Sequence, residues 1–316
     1  MIRFLLRRIY QSIIVLILVT LATFLLFFAG DPKAVAHRLA GRQATPEQVN
    51  AIYHNLGLDQ NIFVQYFHFI TKIVLHWDFG TDYYHHVPVT TVLKQDAPVT
   101  ISLVIGGAVI WFVIGVASGV YSAVRPRTLM DRSFTGLALF FYSLPVFVLG
   151  FAFIYLASKD NFSTFPAANY VGLAHPFEWF RHLVMPWFTL ALISAAAYTR
   201  LSRTSMLEVL GEDYIRTARA KGVREWRVVI KHALRSALTP VITQFGVDVA
   251  VALGGAILTE SVFSLPGLGR ESVIAITNQD LPVIIGIVII AALAVVVMNI
   301  IVDMLYAVLD PRVTLH

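Results

Sequence analysis

A line of polar and small residues crosses one long apolar run of the chain. Gln244, Asp248, Ala252, Gly255 and Thr259 recur at intervals of three or four residues, which places them on one face of a helix. A carboxylate in such a run is costly unless water or a partner stabilises it. We therefore interpret this face as part of a polar path through the protein, with a buried carboxylate held by a structural hydrogen bond as the alternative. The candidate path residues are Gln244, Asp248, Gly255 and Thr259.

Residues 211–234, GEDYIRTARAKGVREWRVVIKHAL, form a basic stretch between apolar runs. A helix is expected from Asp213 to Lys221, and Gly222 is a natural helix break. After the break, an apolar face and a basic face predict an amphipathic helix that lies on a membrane surface. The stretch and its flanks carry the basic residues Arg200, Arg203, Arg216, Arg219, Lys221, Arg224, Arg227, Lys231 and Arg235. The apolar face would consist of Trp226, Val229, Ile230, Ala233 and Leu234.

This order of helix, glycine and amphipathic helix favours a docking site for a partner protein. The alternative is a positively charged loop that only fixes the orientation of the chain in a membrane. Charge alone would satisfy the alternative, but it does not explain the small residues Ala218 and Ala220 or the glycine between the two helices.

A metal site is conceivable in one further segment, which contains His76, Asp78, Asp82, His85 and His86. Their spacing matches no closed zinc pattern, so solvated loop histidines are the favoured interpretation. The chain has no G-x-x-x-x-G-K-[ST] phosphate loop and no G-x-S-x-G or H-E-x-x-H motif. We therefore expect no catalytic residues, no metal and no cofactor on this chain.

The composition identifies a membrane protein. The 316 residues are 57% hydrophobic and 14% charged, whereas soluble domains carry about 25% charged residues. The absence of cysteine excludes disulfides and thiolate chemistry. Apolar runs long enough to cross a bilayer as helices predict six spans, near residues 9–29, 98–123, 134–157, 183–200, 240–262 and 283–306. Pro145 should bend the third span.

The distribution of charge predicts the orientation. With the N-terminus inside, most of the 24 Lys and Arg residues fall on the cytoplasmic side, and the short loops carry the bias. Both termini are then cytoplasmic, and so is the stretch 211–234. An alternative for the N-terminus is a cleaved secretory signal, because Arg7-Arg8, an apolar run and Ala34-Val35-Ala36 imitate one. The length of the apolar run favours a span.

The expected organisation has three parts: residues 1–30 with the first span, an extracytoplasmic helical segment at 31–97, and a five-helix core at 98–316 with a cytoplasmic loop at 201–238. In the second part, Thr45-Pro46-Glu47-Gln48 predicts a capping box that begins a short helix ending near Asn55. Gly57 suits a helix stop, and Asp59 is expected to cap a second helix with the apolar residues Phe63, Tyr66, Phe67, Ile70 and Val74 on one face.

Several motifs in a fixed order resemble the permease subunits of binding-protein-dependent ABC importers, specifically the dipeptide, oligopeptide and nickel branch. The resemblance covers nearly the whole chain, and the large segment after the first span resembles the B-type subunit. The matching residues are Arg7-Arg8, Asp78-Phe79-Gly80, Pro88-Val89, Tyr214 to Gly222 (YIRTARAKG), His232 to Arg235, Glu260 to Arg270 (ESVFSLPGLGR), Asn299, Asp303, Tyr306, Asp310, Pro311 and Arg312. One departure is Arg216-Thr217-Ala218, where the general importer motif has Glu-Ala-Ala.

The resemblance implies roles for two segments. The segment YIRTARAKG looks like the cytoplasmic coupling helix that fits a groove on an ATPase subunit. Its residues are Tyr214, Arg216, Thr217, Ala218, Arg219, Ala220, Lys221 and Gly222. The segment ESVFSLPGLGR looks like an outer gate, where Pro266, Gly267 and Gly269 would form a turn. Its candidate residues are Glu260, Phe263, Pro266, Gly267 and Gly269.

The implied function is transport of peptides or similar small solutes through the inner membrane of a prokaryote. The implied partners are a second permease subunit, two ATPase subunits that bind ATP and Mg²⁺, an extracytoplasmic substrate-binding protein and membrane lipid, with no nucleic acid. Two alternatives remain. An ion-coupled secondary transporter would need more intramembrane ionisable residues than Asp248, and a membrane scaffold or receptor would use the basic stretch for docking without transport.

Overall fold

The computed structural model describes residues 2–28, 31–40, 44–55, 57–158 and 170–309. Within these ranges the chain is helical and contains no strand, with one isolated bridge between Thr81 and Pro88. The expected all-α class is confirmed for this part of the chain. The C-terminal motif residues Asp310, Pro311 and Arg312 lie outside the described residues.

The helices follow one another with short connections. In chain order they are α1 (Ile2–Phe28), α2 (Pro32–Ala40), α3 (Pro46–Asn55), α4 (Ile62–His76), α5 (Val89–Val124), α6 (Leu129–Ser143), α7 (Val146–Ser158), α8 (Pro176–Leu210), α9 (Asp213–Ala220), α10 (Glu225–Arg227), a π-helical turn (Val228–Ala233), α11 (Leu234–Leu253), α12 (Ile257–Val262), α13 (Leu268–Asn278) and α14 (Leu281–Leu309).

Five continuous helices of the described chain are long and apolar enough to cross a membrane, and α6 with α7 makes up to six if that bent pair counts as one span. The five are Leu6–Phe28, Val89–Val124, Pro176–Leu210, Glu225–Leu253 and Leu281–Met304. The predicted bend at Pro145 is confirmed. Helix α6 ends at Ser143, Leu144 is extended, and the two helices meet at 101°, because a residue before proline avoids the helical conformation.

Two predicted span boundaries are wrong because proline did not end the helix. Helix α5 begins at Val89 and continues through Pro98, although the second span was expected to begin at 98. Helix α8 begins at Pro176 and includes Pro186, although the fourth span was expected to begin at 183. Proline removes one backbone donor, and packing in long helices can tolerate that loss.

The chain forms two compact units. Unit 1 contains Met1–Thr100, Leu253–Ile257 and Pro266–Val297, and unit 2 contains Ile101–Ala252, Leu258–Leu265 and Met298–His316. The core of unit 1 brings α4, the start of α5, α13 and α14 together around buried apolar residues. These residues are Ile73, Phe79, Val89, Leu93, Leu268, Ala275, Val283, Ile285, Ile287 and Ile289.

Local signals in the first part of unit 1 were predicted with mixed success. The capping box is confirmed, since Thr45 N donates to Gln48 Oε1 at 2.8 Å and Gln48 N donates to Thr45 Oγ1 at 3.4 Å. Gly57 has a φ of 60°, as a helix stop requires. The expected cap at Asp59 is wrong, because the side chain of Asn61 accepts the hydrogen bond from Phe63 N and begins α4.

Helix α2 was not predicted. Its residues Val35 and Ala36 are fully buried and pack with α3 and Leu58. These two residues belong to the sequence that imitates a signal-peptidase site. In this fold they are part of the apolar core around α2 and α3.

Unit 2 is held by close contacts between α5 and α8. A side chain added at Gly115 would collide with Tyr198, and one at Gly119 would lie 2.6 Å from the carbonyl oxygen of Thr199. Ser118 Oγ and Thr199 Oγ1 form a hydrogen bond of 2.8 Å beside these glycines. The small residues of the second span therefore allow close helix packing.

Candidate coupling and translocation sites

Helix α9 is attached to unit 2 through one apolar side chain. Ile215 is fully buried and packs with Met206, Val228 and Ala233. The rest of α9 is exposed apart from the half-buried Ala218. Tyr214 Oη donates to Ser236 Oγ at 3.2 Å and Thr217 Oγ1 donates to the carbonyl oxygen of Asp213 at 2.9 Å. The helix therefore presents a polar, basic surface on a fixed apolar anchor.

The predicted break after α9 is confirmed at Gly222, which has a φ of 74°. An added Cβ at this glycine would meet no atom within 4 Å, so the position needs glycine for its backbone conformation and not for space. Arg219 spans the turn and donates two hydrogen bonds to Glu225, at 2.7 and 3.2 Å. This pair raises the pKa of the Arg219 guanidinium, so the clamp stays charged across the physiological range.

The second helix of the basic stretch differs from the prediction. Residues 225–253 form one helix of 29 residues, whereas a surface helix was expected to end before a new span began at Thr239-Pro240. Pro240 lies inside α11. Val228 and Ala233 are fully buried in the protein, while Trp226 and Ile230 remain more than half exposed. A π-helical turn at Val228–Ala233 shifts which residues face the core.

As a result, α9 packs against the N-terminal end of the long helix 225–253. Only the turn at residues 221–224 separates α9 from the long helix, and both pack on the same core through Ile215 and Val228. A displacement of α9 would therefore act directly on the N-terminal end of the helix that carries Asp248.

Asp248 is half-buried and forms the centre of a polar group in unit 2. Its carboxylate accepts hydrogen bonds from Tyr198 Oη and Gln244 Nε2, both at 2.8 Å. Trp111 and Phe245 pack around Tyr198, with ring centroids 6.4 and 6.3 Å from the tyrosine ring. Among the described residues Asp248 has no ion-pair partner, and its two hydrogen bonds leave other acceptor positions of the carboxylate unused.

The predicted stripe is only partly a single helical face. Gln244 and Asp248 lie one turn apart on α11, but that helix ends at Leu253 and Gly255 has a φ of 135°. An added Cβ at Gly255 would lie 2.7 Å from the Gly269 Cα, so close backbone contact stops the helix there. Thr259 belongs to α12 and is buried. The expectation of one continuous helix through residue 259 is therefore wrong.

The candidate gate segment contains a turn, but its centre differs from the prediction. Ser264 has a φ of 52°, and Leu265 N donates to the carbonyl oxygen of Glu260 at 2.9 Å. Gly267 is the N-cap of α13 and Gly269 lies in the first turn of that helix, so neither glycine forms the turn. Glu260 and Phe263 are buried in unit 2, and Pro266 is exposed in unit 1.

A carboxyl pair in unit 1 was not predicted. Asp280 Oδ2 accepts a hydrogen bond from Tyr83 N at 2.8 Å, and Asp82 hydrogen-bonds the Asp280 side chain. Burial, together with Asp82, raises the pKa of Asp280 to about 6. Burial also opposes ionisation of Asp82, but hydrogen bonds from Asp280 and His85 outweigh it and lower the pKa of Asp82. Below about pH 6 the pair therefore holds one proton, which removes the repulsion between the two carboxylates.

The candidate metal ligands do not converge in the described part of the chain. His85 Nδ1 lies 2.6 Å from Asp82 Oδ2, and Asp78 Oδ1 accepts a hydrogen bond from Gly80 N at 2.9 Å. No group of three potential ligands forms among the described residues. In the described structure, Asp78 and Asp82 instead accept hydrogen bonds from the backbone at Gly80 and Tyr84.

One ion pair in unit 2 was also not predicted from the sequence. Arg203 on α8 donates to both carboxylate oxygens of Asp131 on α6, at 3.1 and 3.3 Å. Asp131 N donates to Thr128 Oγ1, the N-cap of α6. The spacing Thr128-x-x-Asp131 is a capping signal that could have located the carboxylate. No sequence rule would have identified its partner, which lies 72 residues away.

Comparisons with known proteins identify the family. Residues 96–315 match the family described as "Binding-protein-dependent transport system inner membrane component". Residues 1–104 match the N-terminal family of such membrane components. A probable peptide ABC transporter permease from Sinorhizobium fredii is 37% identical over 98% of both chains. The dipeptide transport system permease protein DppB of Escherichia coli is 36% identical over 99% of both chains.

A solved structure supports the fold independently. A chain of the MetNI methionine ABC transporter, in an inward-facing conformation, superposes with a TM-score of 0.53 at 18% sequence identity. The superposition covers 70% of this chain and 97% of the other. The likeness concerns the fold alone, and the sequence matches decide the family. The chain therefore belongs to the inner-membrane components of binding-protein-dependent transport systems, which are the permease subunits of ABC importers.

Proposed function

We propose that this chain is the B-type permease subunit of a peptide importer and forms half of the translocation path. The proposal rests on its full-length similarity to peptide and dipeptide permeases. Both termini lie in the cytoplasm, the bent pair α6 and α7 is one of six spans, and the protein is a multi-pass component of the inner membrane of a prokaryote. The excess of Lys and Arg in the short loops supports this orientation.

The coupling of this chain to a partner ATPase is inferred from the construction of α9. Its basic outer surface is exposed, its inner surface is anchored by Ile215, and the next helix runs directly into the span that contains Asp248. An ATPase subunit that binds and displaces α9 can therefore move the fifth span. Allosteric transmission requires such a packed element that differs between two states.

The energy source and the substrate receptor belong to partner chains. The sequence has no phosphate-binding loop, so two ATPase subunits bind ATP and Mg²⁺ and close against the coupling residues 214–222. This chain is not an enzyme and binds no cofactor or metal of its own. A second permease subunit completes the path as a heteromeric pair, and an extracytoplasmic binding protein delivers the peptide. The chain contacts membrane lipid and binds no nucleic acid.

Within the path, Asp248 with its hydrogen-bond partners Tyr198 and Gln244 is the proposed binding site for the substrate. A peptide carries an α-ammonium group, and a carboxylate without an ion-pair partner among the described residues is its complement. Tyr198 and Gln244 hold the carboxylate in place through two hydrogen bonds. The segment 260–269 forms the outer gate, which opens and closes as the two permease subunits alternate between inward and outward access.

Uptake in proteoliposomes tests this function. The chain is reconstituted with its second permease, its ATPases and its binding protein, and accumulation of a labelled dipeptide is measured. We expect the dipeptide to accumulate when ATP is supplied on the side of the liposome membrane where the ATPase subunits lie. A non-hydrolysable ATP analogue should support no accumulation. Collapsing the ion gradients should not change accumulation. Uptake that persists without ATP and requires an ion gradient would contradict the proposal and support a secondary transporter.

A further inference from the structure

Helix α4 has three distinct faces. The first packs on α1 through Tyr66 and Phe69. The second is polar, and its residues Gln65, His68 and Lys72 line a cavity of about 1460 Å³ in unit 1. The third consists of Phe63, Phe67, Ile70 and Val74, which recur at intervals of three and four residues.

The third face is apolar and is not covered by the described part of the chain. Phe63 is 80% exposed, and Phe67 and Val74 are each 64% exposed. The sequence predicted these residues on one face together with Tyr66, but Tyr66 contacts α1 and Ile70 is half-buried. The third face carries no charged residue. An exposed aromatic face of this kind in contact with water would be unfavourable.

Contacts with α1 indicate the depth at which α4 lies. The hydroxyls of Tyr66 and Thr20 are 3.0 Å apart, and Tyr66 Oη also donates to the carbonyl oxygen of Ile17 at 3.3 Å. The rings of Phe24 and Phe69 have centroids 5.6 Å apart. All three α1 residues lie inside its candidate span, Leu6–Phe28.

Ile17 is eleven residues before the end of that span, which corresponds to about 16 Å along a helix axis. The hydrocarbon core of a bilayer is about 30 Å thick. The contacts between α4 and α1 therefore extend from the end of the α1 span at Phe28 to near its middle at Ile17. Phe28 marks that end, and its ring lies 5.5 Å from Phe69.

The backbone of α4 is suited to an apolar environment. Asn61 caps its first turn, and at the other end Trp77 N donates to the carbonyl oxygen of Ile73 at 3.1 Å and Asp78 N donates to that of Lys72 at 3.2 Å. Trp77 is 56% exposed, and exposed tryptophan at a helix end is typical of the boundary between lipid and water. At 15 residues, or roughly 22 Å, the helix is too short to span the bilayer.

We propose that α4 is embedded in the bilayer as a non-spanning helix, with Phe63, Phe67, Ile70 and Val74 in contact with lipid acyl chains. The polar face of α4 then faces the cavity, and the apolar surface of α1 continues onto α4. The segment after the first span is consequently not a purely extracytoplasmic cap. This inference concerns the membrane surface of the protein and does not depend on which solute is transported.

Site-directed spin labelling tests the proposal, because the chain contains no native cysteine. Single cysteines are introduced in turn along residues 62–75, and each variant is assembled with cysteine-free partners in liposomes. Accessibility to oxygen, which partitions into lipid, is compared with accessibility to a water-soluble nickel chelate. L18C on α1, whose native side chain is 58% exposed, is the lipid control, and E47C on α3, whose native side chain is exposed, is the water control.

We expect oxygen to exceed the nickel chelate at positions 63, 67 and 74, as at position 18, with minima of oxygen accessibility at 65, 68 and 72. Variants are scored only when the assembled complex retains uptake, and the helical periodicity of the scan does not depend on any single variant. Greater access of the nickel chelate at 63, 67 and 74 would place this face in water. Immobilised labels shielded from both reagents would show that a partner protein covers it, and either result would overturn the proposal.

Discussion

Replacing Gly222 by valine is expected to lower peptide uptake and substrate-stimulated ATP hydrolysis roughly five- to thirtyfold while the complex still assembles. The turn after α9 requires a φ of 74°, and a residue with a Cβ pays about 1–2 kcal/mol to adopt the left-handed conformation, which corresponds to that range of population change. A β-branched residue is the least suited to it. The strain would separate Arg219 from Glu225 and release α9 from its fixed orientation.

Asparagine at the same position is the matched control. It tolerates the left-handed conformation better than other residues with a side chain, and no atom lies within 4 Å of an added Cβ. G222N should therefore retain most of the coupling that G222V loses. If G222V and G222N lose uptake to the same extent, or both retain it, then the conformation of the turn is not what couples α9 to the fifth span.

Replacing Asp248 by asparagine is expected to lower uptake about tenfold without loss of assembly. Asparagine has nearly the same shape, but hydrogen bonds to a charged group contribute about 1.5–3 kcal/mol and neutral ones about 0.5–1.5 kcal/mol. The difference is about one order of magnitude in an equilibrium constant. D248L should lower uptake further, because Tyr198 Oη and Gln244 Nε2 both lose their acceptor.

Initial rates of dipeptide uptake in proteoliposomes measure this effect, with E178Q as the control. Glu178 has a 43% exposed side chain in an ion pair with Arg181, and exposed pairs contribute little. Wild-type rates in D248N would show that Asp248 is a structural hydrogen-bond acceptor and not part of the path.

The sequence predicted features whose causes are local. The bend at Pro145, the break at Gly222 and the capping box at Thr45 each depend on a few neighbouring residues, and each is present. A local signal gave a wrong prediction at Pro240: Thr239-Pro240 has the pattern of a helix start, but no helix begins there. There the burial of Val228, Ala233 and Ala237 holds the preceding residues in one continuous helix, and no local signal encodes that packing.

Distant contacts account for the other differences. The end of α11 depends on the approach of Gly269 to Gly255, and the carboxyl pair joins Asp82 to a residue almost 200 positions later. The apolar stripe of α4 was recognised from its spacing, but spacing does not distinguish a protein-facing stripe from a lipid-facing one. Motif resemblance, in contrast, identified the family over the whole chain because several motifs occur in order.

Site-specific photo-cross-linking measures whether the exposed surface of α9 contacts the ATPase, as proposed. A photoreactive probe is attached to R216C, whose native side chain is 72% exposed, in the assembled transporter. Y84C is the control, because Tyr84 is 63% exposed in a loop of unit 1. We predict an adduct with the ATPase subunit from position 216 and none from position 84. An intact complex that gives no ATPase adduct at 216, or an equal adduct at 84, would contradict the account.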